Sequence, residues 1–464
     1  MSAGHAIAAP AIPENDSPPS VHSNSSQITS ASVLAQIPQF KQWANKVRLN
    51  RTIILVVPEN PPNSSNTQYD RIRSLKEVSS VFPAWLTEVN SPGFSHIAVA
   101  HVPLKEKLCS YLLSAIATNR ATTTTAVDLE LYRSIGYILQ ICLRQKKLNE
   151  AYDDPTKMDR RVSIDYLLAY ICESDGIDTI KYSTEQKIKL PKVRGFNVST
   201  TKADGVVFMD IPDFDPFEKS EELRDLGSTF SPGPPKRLKV IHCVAEYKRD
   251  GGGTNQALMG IVSGLYQKKV LNIAHQLVFG VYHVSADILQ VIAGAWQGGW
   301  IRVYKVGKYS LRDPMDAVQF YFVMREIRRI GQLYLEELRQ SEMDFTLRLM
   351  DQAPVDEWDM DHMDSITEDP SESNSQVYNG NGSNIQPGWH LKLSALGKWN
   401  RHERVLSYLE SMSNNSTSSS EDGNEPQIPA PDAKVAPPNQ RKSILVTTEE
   451  AAGNPPIGWR AMAQ

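Results

Sequence analysis

Two short segments of the chain place a carboxylate at one end of an apolar stretch. Asp204 lies in the segment 202–208, KADGVVF, and Glu246 and Lys248 lie in the segment 244–248, VAEYK. Side chains alternate between the two faces of a strand, so Glu246 and Lys248 share one face while the residue between them lies on the other. If the two strands are neighbours, Asp204 lies beside Glu246.

Carboxylates that lie side by side repel each other and therefore favour a divalent cation between them. A lysine two residues further on can hold or activate an attacking water. Asp204, Glu246 and Lys248 are therefore sufficient for metal-assisted hydrolysis of a phosphodiester. Carboxylates more than about 8 Å apart could not share a cation whose ligands lie at about 2.1 Å. The alternative is that these residues form a structural ion pair at two strand ends.

The pattern of an acid, any residue and a lysine also occurs at 185–187 and at 432–434. The first lies in a polar stretch and the second in a Pro/Ala-rich segment, so we predict that neither lies on a strand. Only the motif at 246–248 follows an apolar run typical of a strand buried on both faces, and only this motif precedes a Gly-rich turn and a helix. That order of elements distinguishes it from the other two.

Hydrophobic periodicity predicts the elements that position these residues. Strands are expected at 52–57, 96–101, 203–209, 238–248, 277–284, 288–296 and 300–306, with a hairpin turn at Gly298 and Gly299. Helices are expected at 33–43, 70–88, 104–116, 127–145, 164–173, 254–269, 315–340 and 398–412. The threonines at 122–125 would cap the helix at 127, and Thr254 the helix at 254. Trp296, Trp300 and Tyr304 alternate along strands and are expected in the core.

Composition divides the chain into four parts. Residues 1–33 are rich in Ser, Pro and Ala and are predicted to be a disordered tail, and 34–120 an extension of helices and strands packed on the core. The main domain is expected at 121–345, with a long internal loop at 210–236 whose acids would disfavour a phosphate backbone. Residues 346–464, acidic and rich in Ser and Pro, are predicted to be a mostly disordered tail.

Charge is distributed unevenly along the 464 residues. Residues 34–350 carry 41 Lys and Arg against 34 Asp and Glu. Residues 1–33 carry two acids and no Lys or Arg, and residues 351–464 carry 17 acids against eight bases. A basic body between acidic ends is typical of proteins that bind polyanions, although an ordinary solvated surface also produces it.

The sequence contains no segment that approaches the roughly 20 apolar residues of a membrane span. Its first residues lack the basic and apolar regions of a signal peptide. The four cysteines have no metal-like spacing and are predicted to be reduced and buried. We therefore expect an intracellular protein, nuclear or cytoplasmic, without membrane contact.

In its order of elements and acids, the chain resembles the PD-(D/E)XK nuclease superfamily over about residues 126–306. Asp204 matches the first acid of the motif, Glu246 its second acid and Lys248 its lysine. Ala203 stands where the motif has proline, which costs little because the aspartate supplies the ligand. The layout is also similar to a set of PD-(D/E)XK-like domains restricted to fungi.

Two further residues match positions of this superfamily. Gln256, in the first turn of the helix after the motif, matches a glutamine that several branches carry there. Glu130 matches the acid on the first core helix, with Asp128 as a competitor. Both residues also have simpler explanations. The helix dipole favours acids in a first turn, and Gln256 shares a helix face with Gly260 and Gly264, which let the helix approach the sheet closely.

The resemblance implies an α/β fold with a mixed central sheet flanked by helices. Asp204, Glu246 and the Tyr247 carbonyl would bind Mg²⁺ or Mn²⁺. Lys248 would position the attacking water, and Gln256 would orient Lys248 or a phosphate. The reaction would leave a 5′-phosphate and a 3′-hydroxyl on a nucleic acid, with DNA favoured over RNA.

The sequence also leaves other functions open. A catalytically inactive nuclease-like module would use the same fold to bind nucleic acid or protein. A purely structural scaffold would leave the acids paired with neighbouring residues and no groove beside them. A homodimer, and protein partners bound by the tails, are likewise open.

Overall fold

A computed structural model of the chain describes residues 30–55, 67–150, 155–173, 176, 179–231, 237–248 and 253–360. The strands are β1 (Leu49–Leu55), β2 (Val81–Pro83), β3 (Thr122–Thr124), β4 (Ile180–Lys189), β5 (Thr200–Ile211), β6 (Phe230–Ser231), β7 (Leu238–Glu246), β8 (Val278–Ser285), β9 (Ile288–Gln297) and β10 (Trp300–Ser310). The helices are α1 (Ala31–Leu34), α2 (Phe40–Lys46), α3 (Thr67–Val78), α4 (Val102–Ala117), α5 (Leu129–Glu150), α6 (Lys157–Glu173), α7 (Asp215–Lys219), α8 (Glu221–Gly227), α9 (Thr254–Val270), α10 (Pro314–Gln340) and α11 (Glu342–Asp351). The helix predicted at 398–412 lies outside the described residues.

A mixed sheet forms the centre, in the strand order β1-β10-β9-β8-β7-β5-β4-β6. The pairs β1/β10 and β7/β8 are parallel, and the other pairs are antiparallel. Strands β7, β8 and β9 are almost entirely buried, which explains their continuous apolar sequences. The predicted α/β class, with a mixed central sheet flanked by helices, is confirmed.

Helix α9 covers one face of the sheet and makes the crossover between the parallel strands β7 and β8. Two glycines permit its close approach. A Cβ at Gly260 would lie 2.8 Å from the Cγ2 of Val244, and one at Gly264 would lie 2.9 Å from the Cγ1 of Val278. The predicted packing role of these small residues is confirmed.

Helix α10 covers the other face. The ring of His242, on β7, points to α10, and its Nε2 lies 2.7 Å from the carbonyl oxygen of Ile327. Asp313 begins this 27-residue helix by accepting hydrogen bonds from the backbone N–H groups of Met315 and Asp316. Helices α3, α4, α5 and α6 pack against α10 and complete this layer.

Of the segment predicted as a long loop at 210–236, the described residues 210–231 contain more secondary structure than expected. They include α7, α8 and the two residues of β6, which pair with β4. Phe214 and Phe217 are fully buried, and Ser220 caps α8 by accepting a hydrogen bond from the Leu223 N–H at 3.1 Å. Buried aromatic side chains thus anchor residues of this segment that the acidic composition assigned to a loop.

Three other local predictions were wrong. The strand predicted at 96–101 is a 3₁₀ turn, Val99–His101, in which Val99 is exposed and so does not follow a strand pattern. The threonines at 122–124 form β3, and α5 is capped instead by Asp128, which accepts a hydrogen bond from the Leu131 N–H at 2.9 Å. Thr254 is the first residue of α9 and makes no cap, since Gly253 precedes it there.

The packed body extends beyond the boundaries predicted at both ends. Helix α1 starts at Ala31, with Leu34 fully buried. After α11, Trp358 is fully buried and its Nε1 donates a hydrogen bond of 2.8 Å to the carbonyl of Leu226. The boundary predicted at 345 therefore lies too early.

No helix among the described residues is long and apolar enough to cross a membrane. All four cysteines lie in the described part of the chain, and each is buried and free of disulfide bonds. The prediction of reduced, buried thiols agrees with this arrangement.

Candidate functional site

Asp204 and Glu246 face each other across two neighbouring strands. β5 and β7 pair in antiparallel fashion with Gly205 opposite Ala245, so the next pair outward is Asp204 and Glu246. Directly opposed residues in such a pair have Cβ atoms about 4.5–5.5 Å apart, which is within the limit for a shared cation. The predicted juxtaposition of the two carboxylates is confirmed.

Glu246 is the last residue of β7 and is 1% exposed. Burial, and next the negative charge of Asp204, hold the pKa of its carboxyl well above the ordinary value, against the opposing charges of Lys157, Lys248 and Arg161. Among the described residues, we find no hydrogen bond to this carboxylate. An ionised Glu246 therefore lacks a hydrogen-bond or ion-pair partner within contact distance, and a bound cation would provide one.

Asp204, by contrast, has three partners. Its Oδ1 accepts a hydrogen bond from the Lys157 Nζ at 2.5 Å, and its Oδ2 accepts one from the Tyr247 N–H at 2.7 Å. The guanidinium of Arg161 lies 3.6 Å from Oδ1. A backbone hydrogen bond thus fixes Oδ2 of this carboxylate, while Oδ1 pairs with a lysine.

Arg161 organises the residues around Asp204 from helix α6. Its side chain is 4% exposed and donates hydrogen bonds to the Asp165 carboxylate at 2.5 Å, to the Asp204 carbonyl at 2.7 Å and to the Glu185 carboxylate. The Tyr182 hydroxyl also donates to Asp165. Burial raises the pKa of Asp165, although its bonds to Tyr182 and Arg161 oppose this.

Glu185 corrects a prediction, because the motif at 185–187 does lie on a strand. In the β4/β5 pairing, Thr184 lies opposite Gly205 and Gln186 opposite Ala203, so Glu185 lies beside Asp204. Its φ of 59° is left-handed, a conformation that costs a non-glycine residue free energy. Ion pairs with Lys202 and Arg161 hold it there and lower its pKa.

Gly205 allows this arrangement to form. A Cβ at Gly205 would lie 2.1 Å from the hydroxyl oxygen of Tyr182, so any side chain there would displace the tyrosine that donates to Asp165. The glycine after Asp204 is therefore required by the packing of Tyr182.

Lys248 lies two residues after the end of β7, and Gln256 lies in the first turn of α9. Lys248 is half-buried and close enough to lower the pKa of Glu246. Gln256 is buried, and its Nε2 donates a hydrogen bond of 3.3 Å to the Ser32 Oγ in α1, while Asn255 donates to the Ala35 carbonyl at 2.7 Å. The described contact of Gln256 is thus with the N-terminal segment, whereas a contact with Lys248 was expected.

Glu130 is not brought to this cluster. Its carboxylate lies 3.3 Å from Arg328 and 3.8 Å from Arg325 on α10. Gln145, near the other end of α5, donates a hydrogen bond to the carbonyl of Arg160 on α6. Fifteen residues of helix separate Glu130 from Gln145, which corresponds to about 22 Å along the axis. Its competitor Asp128 also pairs with Arg325, at 2.8 Å.

Sequence reasoning missed the cations on α6. Lys157, Arg160 and Arg161 lie in its first two turns, where the helix dipole disfavours positive charge. Such a group at that end of a helix indicates that acids from another element lie against it. Because the helix was predicted at 164–173, the three cations lay outside it, and only its true start at Lys157 shows the signal.

The acids at this site form a sparse set of ligands. No group of three or more His, Cys, Asp or Glu that could hold a metal ion is found in the part of the chain that the structure describes. Asp204, Glu246 and the Tyr247 carbonyl would make two carboxylates and one carbonyl. Mg²⁺ is commonly bound by one or two carboxylates and completes its octahedron with water, so this set fits that ion.

Comparison with protein-family models, with curated proteins and with solved structures finds no match to this chain.

Proposed function

We propose that the chain is a metal-dependent phosphodiesterase of PD-(D/E)XK type that acts on nucleic acid, with Asp204 and Glu246 at its metal site. One observation carries the proposal. Glu246 is buried, faces a second carboxylate across the sheet and has no hydrogen-bond partner among the described residues. A fold tolerates such a residue at a cost, and a site for a cation explains it.

The topology around the acids supports the same proposal. Strands β4, β5 and β7 form an antiparallel meander, and α9 then crosses to β8, which runs parallel to β7. Helices precede this unit in the chain. That order agrees with the helix, strands, helix and strands of the superfamily which the sequence resembles.

Asp204, Glu246 and the Tyr247 carbonyl would hold Mg²⁺ or Mn²⁺. When bound, such an ion polarises the phosphoryl group and lowers the pKa of a coordinated water. Lys248, beside Glu246, would hold the attacking water by hydrogen bonding. In-line attack at phosphorus then breaks the bond to the 3′-oxygen, which leaves a 5′-phosphate and a 3′-hydroxyl.

Lys157 also has a role in the proposed mechanism. Its ammonium donates a hydrogen bond to Asp204 Oδ1, an oxygen that a bound metal ion would need as a ligand. The side chain is 41% exposed and flexible, so it can turn away and pair with the phosphate instead.

The experiment is a cleavage assay on single-stranded and double-stranded DNA and RNA with Mg²⁺ or Mn²⁺. We expect Glu246→Gln and Lys248→Ala to lose at least about 100-fold in rate while remaining folded. Glu130→Gln is the matched control, because this acid lies against α10, and it should retain activity. Full activity in the Glu246 variant would contradict the proposal.

The second candidate is a catalytically inactive nuclease-like module that binds nucleic acid or protein. One observation favours it. Lys157 and Arg161 both form ion pairs with Asp204 and compensate its charge. A folded wild type that binds neither Mg²⁺ nor Mn²⁺ would support this second function.

A further inference from the structure

A second charged region lies where α2, β1 and the start of β10 meet. A cleft of about 510 Å³ opens to solvent there. Its lining includes the basic residues Lys41, Arg51 and Arg302, the amides Asn45 and Asn50, and the indole of Trp300. Among the described residues, no acid lines this cleft.

The cleft lies at the opposite end of the sheet from Asp204 and Glu246. Glu246 pairs with Tyr282 on β8, and Tyr282 pairs with Gln290 on β9. Trp300 pairs with Gln297, seven residues further along β9, which corresponds to about 23 Å. The cleft is therefore a separate place on the molecule.

The cations of the cleft are free to bind a ligand. In the described part of the chain, Lys41, Arg51 and Arg302 make no ion pair, and all three are exposed. Arg51 lies 5.5 Å from the ring centroid of Phe40, and this contact helps to fix its position. Three unpaired cations without an acid attract a polyanion.

Trp300 was expected in the core, but the structure places it at the surface. It is 46% exposed, whereas Tyr304 is buried and Trp296 is half-buried, with its Nε1 donating to the Leu265 carbonyl. Trp300 is the first residue of β10, directly after the Gly298–Gly299 turn, and its side chain lines the cleft beside α2. An exposed indole between cations offers a flat surface for stacking.

We propose that this cleft binds single-stranded nucleic acid. Lys41, Arg51 and Arg302 would contact the phosphates, and one base would stack on Trp300. The amide of Asn45 can hydrogen-bond to a base edge, as can the amide nitrogen of Asn50, whose oxygen accepts a hydrogen bond from the Thr52 N–H. A duplex could pair its phosphates with the cations, but its bases are stacked on each other and could not stack on the indole. An acidic peptide would likewise leave the indole unused.

The test measures binding of fluorescent oligo(dT) and oligo(U) to the full chain by anisotropy, across a salt series. We expect Trp300→Ala to weaken binding about tenfold and Trp300→Phe to retain most of it. Arg51→Ala/Arg302→Ala should weaken binding and make it less dependent on salt, with a slope smaller by about 1.4.

The matched control is Arg144→Ala/Lys147→Ala, which removes two bases from a cleft without an aromatic residue. This variant should bind as the wild type does. Trp300→Ala binding as tightly as the wild type would overturn the proposal, as would stronger binding of duplex or displacement by poly-glutamate at equal charge.

Discussion

The charged residues at the two ends of the central sheet differ in burial and in pairing. At one end, Asp204, Glu246 and Arg161 are buried, and strand pairing and α6 hold them against each other. At the other end, the cations around Trp300 are exposed and unpaired in the described structure. The first region is part of the fold and must affect stability. The cations of the second region make no ion pair in the described structure, so substituting them should change binding and leave stability nearly unchanged.

Substitution of Arg161 gives the largest expected difference in unfolding free energy between the two ends. Arg161→Met leaves Asp165, Glu185 and the Asp204 carbonyl without their buried partner and should cost about 3–5 kcal/mol of unfolding free energy. Arg302→Met, at the exposed end, should change it by less than about 0.5 kcal/mol. Urea unfolding of both variants checks this contrast, and similar costs would contradict it.

Glu246 should make the metal-free protein less stable as pH rises. Because its pKa is raised in the folded state, the folded protein keeps the proton after the unfolded chain has lost it. Stability from this residue is therefore complete below the ordinary pKa of 4.5 and declines as pH rises toward the raised value. Glu246→Gln should be about 1–3 kcal/mol more stable than wild type near pH 8.

The measurement is urea unfolding with EDTA at a series of pH values. The advantage of Glu246→Gln should shrink as the pH falls. Parallel pH profiles for the two proteins would show that Glu246 carries no unpaired charge.

Lys157 gives the smallest expected effect and sharpens the description of the acid end. If its ammonium competes with a metal for Asp204, Lys157→Gln should bind Mn²⁺ about tenfold more tightly, or about 1.4 kcal/mol. Lys202→Gln is the control, since Lys202 pairs with Glu185. Calorimetry distinguishes the two variants. Weaker Mn²⁺ binding by Lys157→Gln would show that the lysine supports the metal site.

The acid pair could be predicted from sequence because its signals are local. A strand buried on both faces has a continuous apolar sequence, and an acid at its end is conspicuous. Asp204 lies opposite Glu246 only because β5 and β7 are antiparallel neighbours, which the sequence analysis had to assume. Strand β4, with the sequence IKYSTEQKIK, has polar residues on both faces, so Glu185 was placed outside any strand.

The rest depended on packing between distant parts of the chain. Lys157 and Arg161 reach Asp204 only because α6 lies across the end of β4 and β5. Glu130 matched a motif position, yet the arginines of α10 determine where its carboxylate lies. Trp300 followed the alternation of a buried strand, but it is the first residue of β10 and its side chain is exposed.

Calorimetric titration of the full chain with Mn²⁺, wild type against Asp204→Asn/Glu246→Gln, tests the central claim most directly. We predict that the wild type binds the ion and that the folded double variant does not. Binding by both proteins, or by neither, would contradict a metal site between these two carboxylates.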